Sequence, residues 1–375
     1  MRSVGSVLIV GGGFAGLSAA IAFRQRGVAV TLVEIAADCG AYGAGISIGG
    51  ATLRALKTLG VLEDYFRHGF GCEATEIRTF DDRLIQMIPA PRLAGSGVPG
   101  NGAVLRPVLA RILYDAAVAA GADVRLRTTI EAVEDKGDCI VAALSDGGSV
   151  ICDLMVGADG LLSAMRERIL PNTPRPVYTG QSVWRAVLPR LPQVDHTMLW
   201  VGQSTKVGLN PVSADDMYIF VNENRPGKGR LADSELVEGL RALLAPYAAP
   251  LIRQARGLID ATSQIIFRPL EGLLVPLPWH KGRIVLIGDA IHATTPHLAS
   301  GAGIGIEDAI VLAEECEAAD DAESALKAFE RRRWERCRMV VRNSGRLGEI
   351  EIANGDKTEH ARLMEQSFRA LAEAI

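Results

Sequence analysis

The chain has 375 residues, enough for two or three domains, and its 48% hydrophobic and 22% charged residues are the balance of an ordinary folded globular protein. A formal net charge of −4 excludes an electrostatic case for nucleic acid or an anionic membrane, and no stretch reaches the ~20 apolar residues of a membrane span. Six cysteines, at 39, 72, 139, 152, 316 and 337, show neither C-x-x-C nor metal spacing. That pattern points to reduced thiols, a cytoplasmic location and no metal site. The first strand begins almost at once, which leaves no room for a signal peptide.

In chain order, Val7-Leu8-Ile9-Val10 reads as a buried strand running into Gly11-Gly12-Gly13-Phe14-Ala15-Gly16 and a small, apolar helix. A second apolar run, Val28–Val33, ends in Glu34. Gly11 suits the tight turn, Gly13 lets backbone approach a pyrophosphate, and Gly16 lets helix and strand pack closely. The helix N-terminus offers N–H groups to phosphate, and Glu34 stands where a carboxylate can grip a ribose. This is a dinucleotide-binding turn. Gly95-Ser96-Gly97-Val98-Pro99-Gly100 matches the same letters, but no strand precedes it and Pro99 interrupts it, so it reads as a loop.

Residues 51–68 carry apolar positions at helical spacing, ending near Gly60, and 106–120 read as another helix. Asp123–Leu126 reads as a strand. Val133–Val141 and Ser149–Val156 alternate like two strands about an Asp146-Gly147-Gly148 turn. From 181 to 270 short alternating segments (Ser182–Leu188, Lys206–Leu209, Met217–Val221) predict a mostly antiparallel sheet, with a helix near 233–256. A compact strand returns at Arg283–Ile287, and helices follow to the end. The order predicts an α/β chain: a Rossmann-like nucleotide-binding domain interrupted by a β-rich substrate domain.

Two later segments repeat the logic of an acid directly after an apolar strand, where ligands bind at the carboxyl edge of a sheet. One is Val156-Gly157-Ala158-Asp159-Gly160; the other is Ile284-Val285-Leu286-Ile287-Gly288-Asp289. Met alone, each aspartate could simply cap a helix.

With these three motifs, and with Ala44-Gly45-Ile46, Arg106 opening a helix and Pro296-His297 followed by Gly301-Ala302-Gly303, the chain resembles the single-component FAD-dependent aromatic monooxygenases. Salicylate, 6-hydroxynicotinate and urate hydroxylases belong to that family. The resemblance runs to about residue 345. It implies a glutathione-reductase-type FAD domain over 1–75, 100–180 and 271–345, a substrate-binding β domain over 76–99 and 181–270, and a helical tail over 346–375. It places Gly11, Gly13, Ala15 and Gly16 at the FAD pyrophosphate, Glu34 on the adenosine ribose, and Ala44 and Gly45 near the isoalloxazine. It also places Arg106 at the ribityl or phosphate region, Asp159 between the FAD and NAD(P)H sides, and Asp289 on the ribityl chain. Gly301 and Ala302 would offer N–H groups to the flavin pyrimidine edge. Two departures stand out. The family's Gly-Gln-Gly is Ala299-Ser300-Gly301-Ala302-Gly303 here, and a flavin-side arginine is absent at Gly43.

The implied reaction is hydroxylation of a small aromatic or N-heteroaromatic ring with NAD(P)H and O2, through a flavin C4a-hydroperoxide. A helix starting near Gly301 would stabilise the anionic reduced ring. Only one nucleotide-binding turn is credible, so NAD(P)H would be a transient co-substrate; the oligomeric state, monomer or homodimer, is left open by the sequence. His297 is a candidate base. Lys206 is a candidate for a substrate carboxylate or enolate and Tyr218 for a hydrogen bond, as cross-strand neighbours flooring the pocket. Each has a bland reading beside it: a capping histidine and a solvated lysine. Arg185 reads as structural, His292 as packing, and the basic run Arg331–Arg338 as a solvated helix face. The competing classes are a flavin dehydrogenase or oxidase, a monooxygenase acting on a carbonyl or amine, and a flavoprotein redox sensor without turnover.

Overall fold

The computed structural model describes residues 4–39 and 43–375; residues 1–3 and 40–42, within the predicted segment 1–75, lie outside the described residues. Two sheets organise the chain. The first strand, Ser6–Val10, lies inside a six-stranded sheet, paired in parallel with Ala29–Glu34 on one side and Leu154–Gly157 on the other. Asp123–Leu126 extends it past Ala29–Glu34, and Ile284–Leu286 adds in parallel beyond Leu154–Gly157. A strand covered on both faces must be apolar throughout, and Val7, Leu8 and Ile9 are fully buried. The helix Phe14–Gln25 and the helix Gly301–Ala318 cover this sheet, each buried over most of its length.

The second sheet has seven strands. Val177–Pro189, Thr197–Val201, Thr205–Pro211, Asp216–Asn224 and Ile265–Gly272 carry most of it, and the hairpin Ala74–Thr79 and Leu84–Pro89 completes one edge. Side chains alternate across a strand. Trp184, Ala186, Val207, Leu209, Met217, Ile219 and Val221 form one hydrophobic core under two helices, Asp233–Leu244 and Pro250–Leu258. Gln181, Arg185, Lys206, Asn210, Tyr218 and Asn222 therefore share the opposite face, toward the strands Gly45–Gly49 and Asn101–Leu105 and the helix Ala322–Ile352.

Several boundaries differ from the sequence expectation. Val133–Val141 is not one strand: Gly137, at φ +92°, turns the chain between Ile130–Asp135 and Ile140–Leu144. Ser149–Val156 is divided between Ser149–Cys152, in a small antiparallel sheet, and Leu154–Gly157 in the central parallel one. The helix near 233–256 is two helices; the helical run from 51 does end near Gly60, φ +76°, as its pattern implies, and a second short helix, Leu62–His68, follows. The helix Ala322–Ile352 runs through position 345 without interruption, and Lys357–Ala372 packs back on it.

The basic run is solvated only in part: Arg331 and Arg332 are exposed, but two of its arginines turn inward. Arg333 is 1% exposed and bonds Asp308 at 2.7 Å, and Arg336 bonds Glu307 at 2.8 Å. His292 does more than pack, because its Nε2 lies 2.5 Å from Asp308. His292, Asp308 and Cys337 cluster closely enough to suit a metal, but the Arg333 guanidinium already supplies the positive charge there. No helix among the described residues is long and apolar enough to cross a membrane.

Candidate active site

The glycine turn is built as its residues require. Gly11 sits at φ +110°, and a Cβ there would lie 2.4 Å from the Ala158 carbonyl oxygen. A Cβ on Gly16 would meet the Gly11 oxygen at 1.9 Å, so helix and turn touch backbone to backbone, with Ala15 on the first helical turn between them. Gly13 differs: nothing lies within 4 Å of its virtual Cβ, so it faces open space at the helix N-terminus. Glu34 is held at the strand end by the N–H groups of Gly12 (2.5 Å) and Ala36 (2.8 Å).

Two further loops converge on that edge. Asp159 accepts the Ser163 hydroxyl at 2.5 Å and the Met165 N–H at 2.9 Å, so it caps the short helix Ala164–Ile169. Arg166, on that helix, donates to the Ala290 carbonyl and fastens the Asp159 loop to the Asp289 loop. Gly288, at φ +63°, turns the chain into Asp289, and its N–H is held by Asp308 at 2.9 Å.

Asp289 lies deep in the molecule, yet its side chain opens on a crevice. Burial raises its pKa, opposed by the nearby charges of His292 and Arg106. Arg106 starts the helix Arg106–Ala119 and stacks over Phe14 at 5.7 Å. Gly43 makes room for it, since a Cβ there would lie 2.6 Å from Arg106 Cδ. Neither Arg106 nor Arg185 has a side-chain hydrogen bond or ion pair among the described residues, and burial lowers both pKa values, that of Arg185 to about 10. Arg185, which reads as structural in the sequence, thus stands without a polar partner among the described residues. Opposite them, the helix Gly301–Ala318 begins without a side-chain cap, leaving the N–H groups of Gly301 and Ala302 free of intrahelical acceptors.

The wall of the crevice is the inner face of the seven-stranded sheet. Tyr218 presses on Gly45 so closely that a Cβ there would lie 2.0 Å from the ring, and Ala44 is buried beside it. The Tyr218 hydroxyl meets Ser47 Oγ at 2.7 Å, and burial raises its pKa. Lys206 is not its cross-strand neighbour: Lys206 pairs with Asn222 and Tyr218 with Asn210. The two share a face but stand four residues apart, about 13 Å along the sheet.

His297, on the turn Pro296–Leu298, is almost fully buried with both ring nitrogens directed at protein groups. Thr295 Oγ1 lies 2.8 Å from Nδ1, and Glu351 Oε2 lies 3.2 Å from Nε2. Burial lowers its pKa, with Glu351 acting in the opposite sense. Glu351 also holds Lys206 Nζ at 2.6 Å. Sequence reasoning missed Glu351, which sits in the tail far from every motif; no local signal marks it.

Among the described residues, an acid and an arginine without polar partners opening on a crevice, helix N–H groups without intrahelical acceptors and an open glycine at the first helix N-terminus fit a flavin dinucleotide. They define a flavin-dependent oxidoreductase. The family model described as "FAD binding domain" matches residues 5–344. The Bacillus subtilis protein YetM is 35% identical over 351 residues, covering 91% of this chain and 92% of that one. The 2-heptyl-3-hydroxy-4(1H)-quinolone synthase of Pseudomonas aeruginosa is 32% identical over 362 residues, covering 92% and 90%. The crystal structure of Klebsiella pneumoniae HpxO with FAD and uric acid superimposes with a TM-score of 0.80 at 26% identity, covering 98% and 93%. This chain belongs to the FAD-dependent aromatic monooxygenase family and is an FAD enzyme.

Proposed function

We propose that the protein hydroxylates a small aromatic or N-heteroaromatic ring in the cytoplasm, with NAD(P)H as transient reductant and O2 as oxidant. The observation that carries this reading is Tyr218 closing the sheet over Gly45, beside the free guanidiniums of Arg106 and Arg185. Bound FAD supplies two-electron chemistry and oxygen activation there.

In this reading residues 1–75, 100–180 and 271–345 carry the cofactor, and 76–99 and 181–270 the substrate. Gly11, Gly13, Ala15, Gly16 and Arg106 hold the diphosphate side, Glu34 the ribose and Asp289 the ribityl chain. The helix N–H groups of Gly301 and Ala302 take negative charge at the pyrimidine edge. Asp159 shapes the loop between the cofactor and reductant sides. Tyr218 stands at one end of the substrate wall, over Gly45, and Lys206 at the other, with His297 on the turn below Lys206. The inner sheet excludes water, which favours product over peroxide. Support for a surface-bound reductant comes from the single glycine turn with strand and helix in place.

The test is NAD(P)H oxidation by the purified yellow protein against hydroxylated benzoates, pyridines and purines, with peroxide measured and labelled O2 traced into product. Desaturation without label would replace this reading with a dehydrogenase or oxidase.

A further inference from the structure

Glu351 gathers more of the substrate wall than any residue the sequence singled out. Its carboxylate is met by Lys206 from the strand Thr205–Pro211 (2.6 Å), by His297 from the turn below (3.2 Å), and by His360 from the last helix (3.3 Å). Gln181 Nε2 reaches it from the strand Val177–Pro189 at 3.4 Å, and Asn224 Nδ2 reaches its backbone oxygen from Asp216–Asn224 at 3.4 Å. Lys206 and Glu351 side chains are each only 18% exposed.

We propose that Glu351 is a specificity-determining positioning residue that neutralises Lys206, so that this wall selects a ring with a neutral polar edge over one bearing a carboxylate. The inference rests on the aromatic-substrate reading above. A substrate carboxylate moved out of water needs a cation of its own, and Lys206 has already given its charge to Glu351. A second carboxylate beside Glu351 meets like charge. Lys206 keeps N–H donors for a ring hydroxyl, carbonyl or ring nitrogen. On the same sheet face, Gln181 Oε1 and Asn222 Oδ1 are buried acceptors without a hydrogen-bond partner among the described residues. Donor and acceptors together suit an N-heteroaromatic edge of the N–H and C=O kind. Arg185 stands two strands away, near Arg106 on the crevice side, and is not part of this end of the wall. Depression of the Glu351 pKa, against the burial that would raise it, agrees with a carboxylate kept ionised by Lys206 and the histidines.

The experiment is flavin difference titration of the holoenzyme with hydroxyquinoline and with its carboxylated counterpart, which needs no turnover. The native protein is expected to bind the uncharged ring more tightly. Glu351→Gln should swing the affinity ratio toward the carboxylate by about tenfold, which corresponds to about 1.4 kcal/mol. Lys206→Gln should swing it the other way, and the double variant should return near the native ratio. Lys206→Gln decides the matter alone if Glu351→Gln loses its flavin. A purely structural Glu351 would weaken both rings alike and leave the ratio fixed; that result, or equal native binding of the two rings, overturns the inference alone. Binding of neither ring removes the aromatic-substrate reading and this inference with it.

Discussion

Asp308 accepts the backbone N–H of Gly288 at 2.9 Å and so fixes the turn that presents Asp289 to the crevice. The same carboxylate holds His292 at 2.5 Å and Arg333 at 2.7 Å, all in the interior. Asp308→Ala leaves Arg333 buried beside a reduced negative charge. Urea unfolding is expected to show a loss of about 3–5 kcal/mol, the cost of breaking a buried pair from one side. A loss under 1 kcal/mol would mean that the cluster relaxes around the gap.

The pH dependence of that cluster has a defined sign. Burial resists ionisation of Asp308, but His292 and Arg333 outweigh it and bring its pKa down to about 2. An unfolded aspartate titrates near about 3.9. The contribution of Asp308 is thus complete above about pH 4 and lost as pH falls through about 2. Acid unfolding followed by circular dichroism should lose this component in Asp308→Asn, measured against the native protein over the same window.

Gly11 and Gly13 separate folding from cofactor binding. Gly11→Ala forces a Cβ to 2.4 Å from the Ala158 oxygen at a positive φ, and soluble protein is expected to fall sharply. Gly13→Ala meets no protein atom within 4 Å. Its apoprotein should unfold within about 0.5 kcal/mol of native, as surface changes do, while flavin affinity drops. Undiminished flavin affinity in Gly13→Ala would place the diphosphate elsewhere.

Asp289→Ala should be recovered largely colourless, judged by the ratio of flavin to protein absorbance. The aspartate opens on the crevice and has no hydrogen-bond partner among the described residues, so its removal costs the fold little. Full flavin occupancy would remove Asp289 from the cofactor site.

Tyr218→Phe deletes the hydroxyl that meets Ser47 at 2.7 Å. The expected stability loss is about 1 kcal/mol, the usual net worth of one hydrogen bond. The informative measurement is peroxide released per NAD(P)H consumed, which should rise while flavin content holds.

Features set by neighbouring residues were legible in the sequence. The strand, turn and helix around Gly11 depend on local backbone, and Asp123–Leu126 has the bounds its alternation implies. Reading failed where a short turn hid inside an alternating run, as at Gly137, because period-two patterning continues across a tight hairpin. The site was legible as far as it is made of loops at strand ends. Arg185 looked structural because its missing partner is a fact of three dimensions. Glu351 carries no motif, and its place comes from two strands and two helical segments meeting at one carboxylate. The run at Arg331–Arg338 read as a wet surface because the buried acids that match it, Glu307 and Asp308, lie on another helix.

The helix Ala322–Ile352 is a single rod of 31 residues, about 46 Å long. Arg333 seats one part of it under the Gly288 turn, and Glu351 ends it in the sheet wall. Inserting one residue between these anchors would swing Glu351 by about 100° around the axis without disturbing the seat of Arg333. On the role proposed for Glu351, ring preference in this scaffold becomes adjustable by phase, by lengthening or shortening a spindle, with no pocket residue replaced.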